Sequence, residues 1–110
     1  VKSPHATKFG EVVASDVFFI VDPRGGTDKT YAVYSYVDLA TTYHMAAIFP
    51  AETVNSPDTN AHAFETEWIK HYGAPEFFVY DEGNEQCGDK MRELLTFYDV
   101  TGHVIAGQAP

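Results

Sequence analysis

The hydrophobic pattern of this chain switches from strand-like runs to helical spacing partway along, and that switch constrains the fold more than any other feature. The first half carries three runs rich in β-branched and aromatic residues: Glu11 to Val21, Tyr31 to Val37 and Tyr43 to Phe49. Such runs predict strands, and the short connections between them favour an antiparallel meander. From Ser56 onward the apolar residues instead return at helical spacing, so the chain is predicted to be an α/β protein.

The second half predicts two helices that alternate with two strands. Ser56-Pro57-Asp58 is typical of a helix start, and Gly73 followed by Pro75 of a helix end. The apolar face of this helix comprises Ala61, Phe64, Trp68 and Tyr72. The second helix is predicted from Cys87, Met91, Leu94, Leu95 and Tyr98, and to end at Thr101-Gly102. The two strands are predicted at Phe77 to Tyr80 and at His103 to Ala106.

These elements predict one five-stranded mixed sheet with helices on its faces. A strand, helix and strand in succession form a right-handed crossover, so the last two strands should run parallel. Residues 1–9 are polar and contain a proline, which predicts a linker or N-terminal arm before a single domain at 10–110. Two helices leave one face of such a sheet thinly covered. We therefore expect the domain to continue past Pro110, with its C-terminal helices missing from the sequence given.

Composition excludes several classes of protein. The chain holds 7 Lys and Arg against 16 Asp and Glu, a net charge of −9, which argues against a free-standing nucleic-acid binder. Either a solubilising acidic surface or carboxylates gathered around a divalent metal explains this balance. The single cysteine, Cys87, excludes an internal disulfide and fits a reducing, intracellular compartment. No apolar run approaches the roughly 18 residues of a membrane span, so we expect no membrane partner.

Two aspartates stand where a carboxylate is unexpected. Asp16 interrupts Val-Val-Ala-Ser-Asp-Val-Phe-Phe-Ile, the most strand-like run of the chain, and Asp81 directly follows a wholly apolar strand. If the first and fourth strands are sheet neighbours, the two carboxylates converge at one edge. They would then repel each other unless a divalent cation such as Mg²⁺ lay between them. The alternative is one strand-edge Asp and one turn Asp with no shared role.

Other polar residues have plainer explanations. Asp22 and Asp38 sit where strands meet turns, where Asp side chains bond nearby backbone N–H groups. We expect His44 and His71 to face solvent or cap an element rather than bind a metal. Three further residues or pairs are assigned to structure or excluded from function: Trp68 to the core, Cys87 as a small buried hydrophobe, and Gly25-Gly26 as no phosphate loop.

Three motifs in this order of elements carry a resemblance. They are Asp16 in the first strand, Val37-Asp38-Leu39-Ala40-Thr41 after the second, and Trp68-Ile69-Lys70-His71-Tyr72-Gly73-Ala74-Pro75 running into Asp81-x-Gly-x-Glu. Each motif is weak by itself. Together they resemble the catalytic core of retroviral and retrotransposon integrases, over nearly the whole chain from Phe9 to Pro110.

The resemblance implies an RNase H-like fold with an Asp-Asp-Glu metal site. Asp16 would be the first acid, bridging two Mg²⁺ or Mn²⁺ ions, and Asp81 the second, holding one of them. The metals would activate a water and then a DNA 3′-hydroxyl for attack on a phosphodiester. The full-length protein would join element DNA ends to target DNA in the nucleus, as a homo-oligomer whose neighbouring domains supply basic DNA-binding surface.

The chain also departs from the integrase pattern. The third acid of the family would lie past Pro110, so the fragment as given should be catalytically incomplete and inactive. Glu82 and Gln86 are unusual beside the second acid, which fits a decayed element copy. Two alternatives stay open: another RNase H-like nuclease, and an inactive integrase-like domain that serves as a binding or oligomerisation module.

Overall fold

The computed structural model describes residues 8–22, 24, 29–51, 57–81 and 89–105. The strands are β1 Val12–Asp22, β2 Lys29–Asp38, β3 His44–Pro50, β4 Phe77–Asp81 and β5 Thr101–Ile105. The helices are α1 Pro57–Phe64, α2 Lys70–Tyr72 and α3 Asp89–Phe97, with a π-helical segment, Glu65–Ile69, joining α1 to α2. The predicted order of elements is confirmed. None of the described helices is long and apolar enough to cross a membrane.

All five strands form one sheet in the order β3-β2-β1-β4-β5. The β1–β2 and β2–β3 pairs are antiparallel, which confirms the predicted meander. The β1–β4 and β4–β5 pairs are parallel, as the crossover rule predicts for strands joined through helices. The sheet is therefore mixed, with β1 at the junction between its antiparallel and parallel halves.

Both helical layers pack on the same face of this sheet. Tyr36 of β2 is fully buried and donates a 2.6 Å hydrogen bond from its hydroxyl to Oδ1 of Asn60 in α1. The ring of Phe64 lies 4.4 Å, centroid to centroid, from that of Phe78 in β4. On the α3 side, Leu95 lies close to Gly102 of β5, which shares the face of Phe78 through the β4–β5 register. The core is thus one-sided with respect to the described helices.

The first helix differs from its prediction at its centre. It runs to Tyr72 as expected, but the N–H of Lys70 bonds to the carbonyl of Glu65, five residues back. A π turn inserts one extra residue and so rotates the positions that follow it. Trp68 and Ile69 are both buried as a result, whereas Tyr72, predicted on the buried face, is 36% exposed.

The end of α3 was wrongly predicted. The helix stops at Phe97, and Asp99 closes it in the left-handed region with φ of 59°. Asp tolerates this conformation because its short polar side chain bonds locally, so no glycine is needed there. Thr101 and Gly102 instead begin β5. Cys87, assigned to the start of this helix, lies outside the described residues.

β1 is the central strand of the sheet, but only its first half is enclosed by a neighbouring strand on each side. Only Val12–Ala14 pair with β4, and the remaining described pairs of β1 are with β2. Val12 and Val13 are fully buried, whereas Phe18, Phe19, Ile20 and Val21 are 42%, 62%, 43% and 58% exposed. The apolar run therefore spans two environments that its hydrophobicity does not distinguish.

Candidate active site

Asp16 lies in the middle of β1, at the point where the strand loses β4 as a neighbour. Its side chain is exposed, so the desolvation cost expected for an Asp within a buried strand does not arise. Its Oδ1 accepts a 2.9 Å hydrogen bond from the backbone N–H of Val17. That bond orients the carboxylate along the outer edge of β1, and Oδ2 has no such contact with Val17.

Asp81 is the last residue of β4, and the structure describes it through its backbone, paired with Ile105 of β5. The β1–β4 ladder runs from Val12↔Phe77 to Ala14↔Val79. The same offset, continued by two residues on each strand, brings position 81 beside position 16. Neighbouring strands lie about 4.8 Å apart. The condition set by the sequence, that the first and fourth strands are sheet neighbours, is therefore met; a common metal site for Asp16 and Asp81 stays a prediction.

Hard divalent cations suit a pair of carboxylates at this spacing. Mg²⁺ and Mn²⁺ take oxygen ligands, and the positive charge removes the repulsion between two neighbouring acids. Asp16 offers an exposed carboxylate with a fixed orientation, which fits such an ion. Among the described residues, no group of three or more His, Cys, Asp or Glu side chains can hold a metal. The described part of the chain thus supplies at most a partial ligand set.

The sequence did not predict that Ser35 and His44 contact each other near Asp16. Ser35 is the cross-strand partner of Asp16 in the β1–β2 ladder and is 6% exposed. Its hydroxyl lies 2.5 Å from Nε2 of His44 in β3. His44 is exposed, as predicted, but it also has this partner. The pair was hidden because the strand register that brings Ser35 beside Asp16 is set by sheet pairing and not by local spacing.

Asp38 is confirmed as a turn residue. It is fully buried, and its carboxylate accepts hydrogen bonds from the Gly10 N–H at 2.8 Å and from the Thr41 N–H and hydroxyl at 2.9 Å and 2.7 Å. Burial by itself raises the pKa of Asp38, but the hydrogen bonds from Thr41, Gly10 and Ala40 outweigh it and lower the pKa. Asp38 thus ties the β2–β3 turn to Gly10, just before β1.

Asp22 is likewise a turn residue. Its Oδ2 lies 2.8 Å from Nη2 of Arg24, and its Oδ1 accepts the backbone N–H of Arg24 at 3.0 Å. The hydrogen bond from the Arg24 side chain, followed by that from its backbone, lowers the pKa of Asp22. The carboxylate is therefore committed to the end of β1 and is not needed as a metal ligand.

The remaining candidate residues that the structure describes lie in the core or at the end of a helix. Trp68 is fully buried and packs against Phe9 and Tyr72, which confirms its assignment to the core. His71 is exposed at the end of the helix. Gly25-Gly26, Glu82 and Gln86 lie outside the described residues.

Comparison with known proteins identifies relatives by fold and not by sequence. No protein-family model matches the chain, and no curated protein matches it. Solved retroviral integrases do. A chain of a simian T-cell lymphotropic virus intasome, solved in complex with PP2A regulatory subunit B56 gamma, superposes with a TM-score of 0.75 at 13% sequence identity, covering 93% of this chain and 34% of that one.

The integrase catalytic core domain of HTLV-2, solved with magnesium, is similar in both its dimeric and trimeric forms. Each superposes with a TM-score of 0.72 at 16% identity over 87% of this chain. This chain has the RNase H-like fold of a retroviral integrase catalytic core. It spans 61% and 60% of the length of the two HTLV-2 chains, so any activity or partner of a whole integrase is a proposal for this chain.

Proposed function

We propose that this chain is the catalytic-core part of a metal-dependent polynucleotidyl transferase that processes element DNA ends and joins them to target DNA. The observation that carries the proposal is the parallel β1–β4 ladder, whose offset, continued past its last pair at Ala14↔Val79, would set position 81 beside position 16 on an integrase-type sheet. Asp16 is not explained by a turn, in contrast to Asp22 and Asp38.

In this proposal Asp16 and Asp81 together hold Mg²⁺ or Mn²⁺. The bound metal would lower the pKa of a water or hydroxyl nucleophile and neutralise charge on the phosphodiester under attack. The protein's contribution would be to orient the ligands: the Val17 N–H bonds one oxygen of Asp16, and the pairing of β1 with β4 would set the spacing between the two acids. A third acid would complete the set; among the described residues no cluster of three such side chains occurs.

DNA is the proposed partner, although this chain is poorly suited to bind it alone. With a net charge of −9, the domain repels phosphate, so basic surface must come from neighbouring domains or from other subunits. A nuclear location and a homo-oligomeric state belong to the same proposal. The HTLV-2 core was solved in dimeric and trimeric forms, which supports assembly as a property of this fold.

An inactive integrase-like domain is the second candidate. The observation that favours it is the presence of Glu82 and Gln86 beside the second acid, where the integrase pattern has other residues. Such a domain would keep the fold and lose the metal. Another RNase H-like nuclease would keep the metal but act on RNA in a hybrid.

The decisive experiment is a titration with Mn²⁺ followed by NMR, in which paramagnetic broadening reports distance from the ion. We expect the amides of Val17 and of β4 near Asp81 to broaden first, and the effect to disappear in Asp16→Asn and in Asp81→Asn. Glu93→Gln removes one exposed acid from α3 and serves as the matched control. Uniform broadening, or broadening indifferent to both substitutions, would favour the inactive domain.

A further inference from the structure

We propose that Tyr43 and Tyr72 form an oxidative cross-linking site. A one-electron oxidant, such as a haem peroxidase supplied with hydrogen peroxide, would join the two rings by a carbon–carbon bond and so produce dityrosine within one chain. We call these two residues the tyrosine pair. The proposal is independent of metal binding and of DNA joining, because it uses neither of the candidate acids.

The tyrosine pair is already in contact through its hydroxyl groups. The two phenolic oxygens lie 2.6 Å apart, and one hydroxyl donates a hydrogen bond to the other. The ring centroids are 5.4 Å apart. The rings therefore converge at their hydroxyl ends, which is where the Cε atoms beside each hydroxyl also lie. Those carbons are the atoms that bond in dityrosine, and the two hydroxyls are neighbours in that product as well.

Both rings are held in place and are accessible from solvent. Tyr43 lies between β2 and β3, where its carbonyl accepts the N–H of Asp38 at 2.8 Å, and Tyr72 is the last residue of α2. The ring of Phe9 contacts both rings edge-on, with centroids 5.9 Å from Tyr43 and 5.7 Å from Tyr72. The two tyrosines remain 42% and 36% exposed. This exposure gives a small oxidant access and leaves one ring room to turn from the observed interplanar angle of 77°.

The cross-linking step conserves atoms and electrons. Each tyrosine gives one electron to the oxidant and its phenolic proton to water, which leaves two phenoxyl radicals. The radicals pair through one Cε atom of each ring, and the hydrogen on each bonding carbon returns by way of water to restore each hydroxyl. The pair has then lost two hydrogen atoms in total. One hydrogen peroxide takes up the two electrons and two protons and becomes two waters.

The buried neighbour of the pair directs oxidation towards it. The indole of Trp68 is fully buried, and its ring centroid lies 5.0 Å from that of Tyr72 and 6.1 Å from that of Tyr43. A radical formed on this indole therefore has two tyrosines in range, each able to give it an electron and to lose a proton to solvent. An electron lost from the core is thus replaced from the exposed tyrosine pair.

Other tyrosine hydroxyls of the chain bond to different kinds of partner. Tyr36 is fully buried and donates to Asn60, and Tyr98 donates to Oε2 of Glu65 at 2.6 Å. Neither of these hydroxyls has a second tyrosine as its hydrogen-bond partner in the described part of the chain. The structure therefore predicts one particular cross-link and not random coupling among the seven tyrosines.

Oxidation of the dilute chain by peroxidase and hydrogen peroxide tests the site. We expect the monomer to lose the mass of two hydrogen atoms, to gain the fluorescence of dityrosine, and to yield one linked peptide that contains Tyr43 and Tyr72. Because the reaction is intramolecular, the fraction cross-linked should not depend on protein concentration. The absence of product, a product formed only between molecules, or a link between other tyrosines overturns the proposal.

Tyr43→Phe and Tyr72→Phe test the two partners, and Tyr98→Phe is the matched control. Each substitution keeps the ring and removes one hydrogen-bonded hydroxyl. We expect the intramolecular product to be lost in the first two variants and retained in the third. Retention in either of the first two would place the link elsewhere, and loss in all three would show that no particular pair is required. Both results contradict the proposal.

Hydrogen peroxide without peroxidase separates the cross-link from ordinary oxidation. The Tyr43 hydroxyl donates to Sδ of Met45 at 3.5 Å, and peroxide converts methionine to its sulfoxide by adding an oxygen atom. We expect this treatment to add oxygen and to form no dityrosine, so mass distinguishes the two products. Dityrosine formed by peroxide alone would contradict the one-electron step.

A link formed in the native geometry should also stabilise the chain. It joins residues 29 positions apart and so restricts the unfolded chain, as a disulfide does. We expect the cross-linked monomer to unfold at a higher temperature than the chain treated with peroxide alone. Unfolding at the same or a lower temperature would show that the bond forms only in distorted protein, and the proposal would then be wrong.

Discussion

At the scale of single residues, three strand aspartates illustrate how context separates roles that residue type does not. Asp38 is buried and accepts hydrogen bonds from Gly10 and Thr41, and Asp22 is bound to Arg24 at a strand end. Asp16 is exposed and accepts one hydrogen bond from its own neighbour. Of these three, only Asp16 keeps an oxygen that no described residue uses, which is what a ligand for an external group requires.

Asp38→Asn should destabilise the domain by about 2–3 kcal/mol, because the amide replaces a charged acceptor of several buried donors. The lowered pKa of Asp38 means that its contribution is complete above the ordinary pKa of 3.8 and is lost as the pH falls through the lowered value. The difference in unfolding free energy between the two proteins should therefore shrink in acid. Urea unfolding at several pH values measures it.

Asp22→Asn is the matched control for that comparison. It also removes a carboxylate whose pKa is lowered, but the partner Arg24 is 88% exposed, and ion pairs on the surface contribute little to stability. If both substitutions cost the same, the buried hydrogen bonds of Asp38 are not what holds the turn.

At the scale of elements, the residue that follows the first helix is constrained by its backbone conformation and not by packing. Gly73 follows α2 with φ of 88°, a conformation that L side chains rarely adopt. Nothing lies within 4 Å of where its Cβ would be, so no steric contact complicates the position. The glycine is there to let the chain leave the helix towards β4.

Gly73→Ala should therefore cost about 1–3 kcal/mol through backbone strain alone. Gly102→Ala is the natural comparison, because Gly102 lies in β5 without a positive φ and its Cβ would meet Leu95 Cδ1 at an ordinary 3.5 Å. We expect Gly102→Ala to be neutral or slightly stabilising, since it restricts the unfolded chain. Thermal unfolding of both variants checks this, and equal losses would assign the cost to packing.

At the scale of the whole molecule, the described helices cover one face of the sheet while the chain carries a net charge of −9. Asp16, Phe18 and Ile20 share the opposite face, as their alternation in β1 requires. Acidic self-repulsion acts on the compact state as a whole and is screened by salt. A change in ionic strength therefore alters both the free energy of unfolding and metal binding, and the two effects have to be measured separately.

Added monovalent salt should raise the melting temperature, with each kcal/mol recovered corresponding to about 4–8 °C for a domain near this size. At matched ionic strength, Mg²⁺ should raise it further only if a specific site exists. Differential scanning calorimetry of the native chain and of Asp16→Asn separates the two effects. An identical response to Mg²⁺ in both proteins would assign the whole gain to screening.

Local sequence determined which elements form and where most of them begin and end. Runs of β-branched and aromatic residues predicted β1 to β3, helical spacing predicted α1 and α3, and Gly73 and Pro75 marked the end of the first helix, because these signals act over a few neighbouring residues. The integrase-type order of motifs also predicted the fold. The sequence did not predict the helix end at Asp99 or the π turn at Glu65–Ile69, because both depend on how a helix packs against the sheet.

Only the tertiary structure decided what surrounds the candidate site. Hydrophobicity could not show that the pairing of β1 with β4 ends at Ala14, so the exposure of Asp16 was not predictable. The pairing of Ser35 with Asp16 depends in the same way on register. Contacts between strands distant in sequence follow from the packing of the whole sheet, which no local pattern records. The sequence therefore predicted which acids form the candidate site, and the packing of the sheet determined which residues surround them.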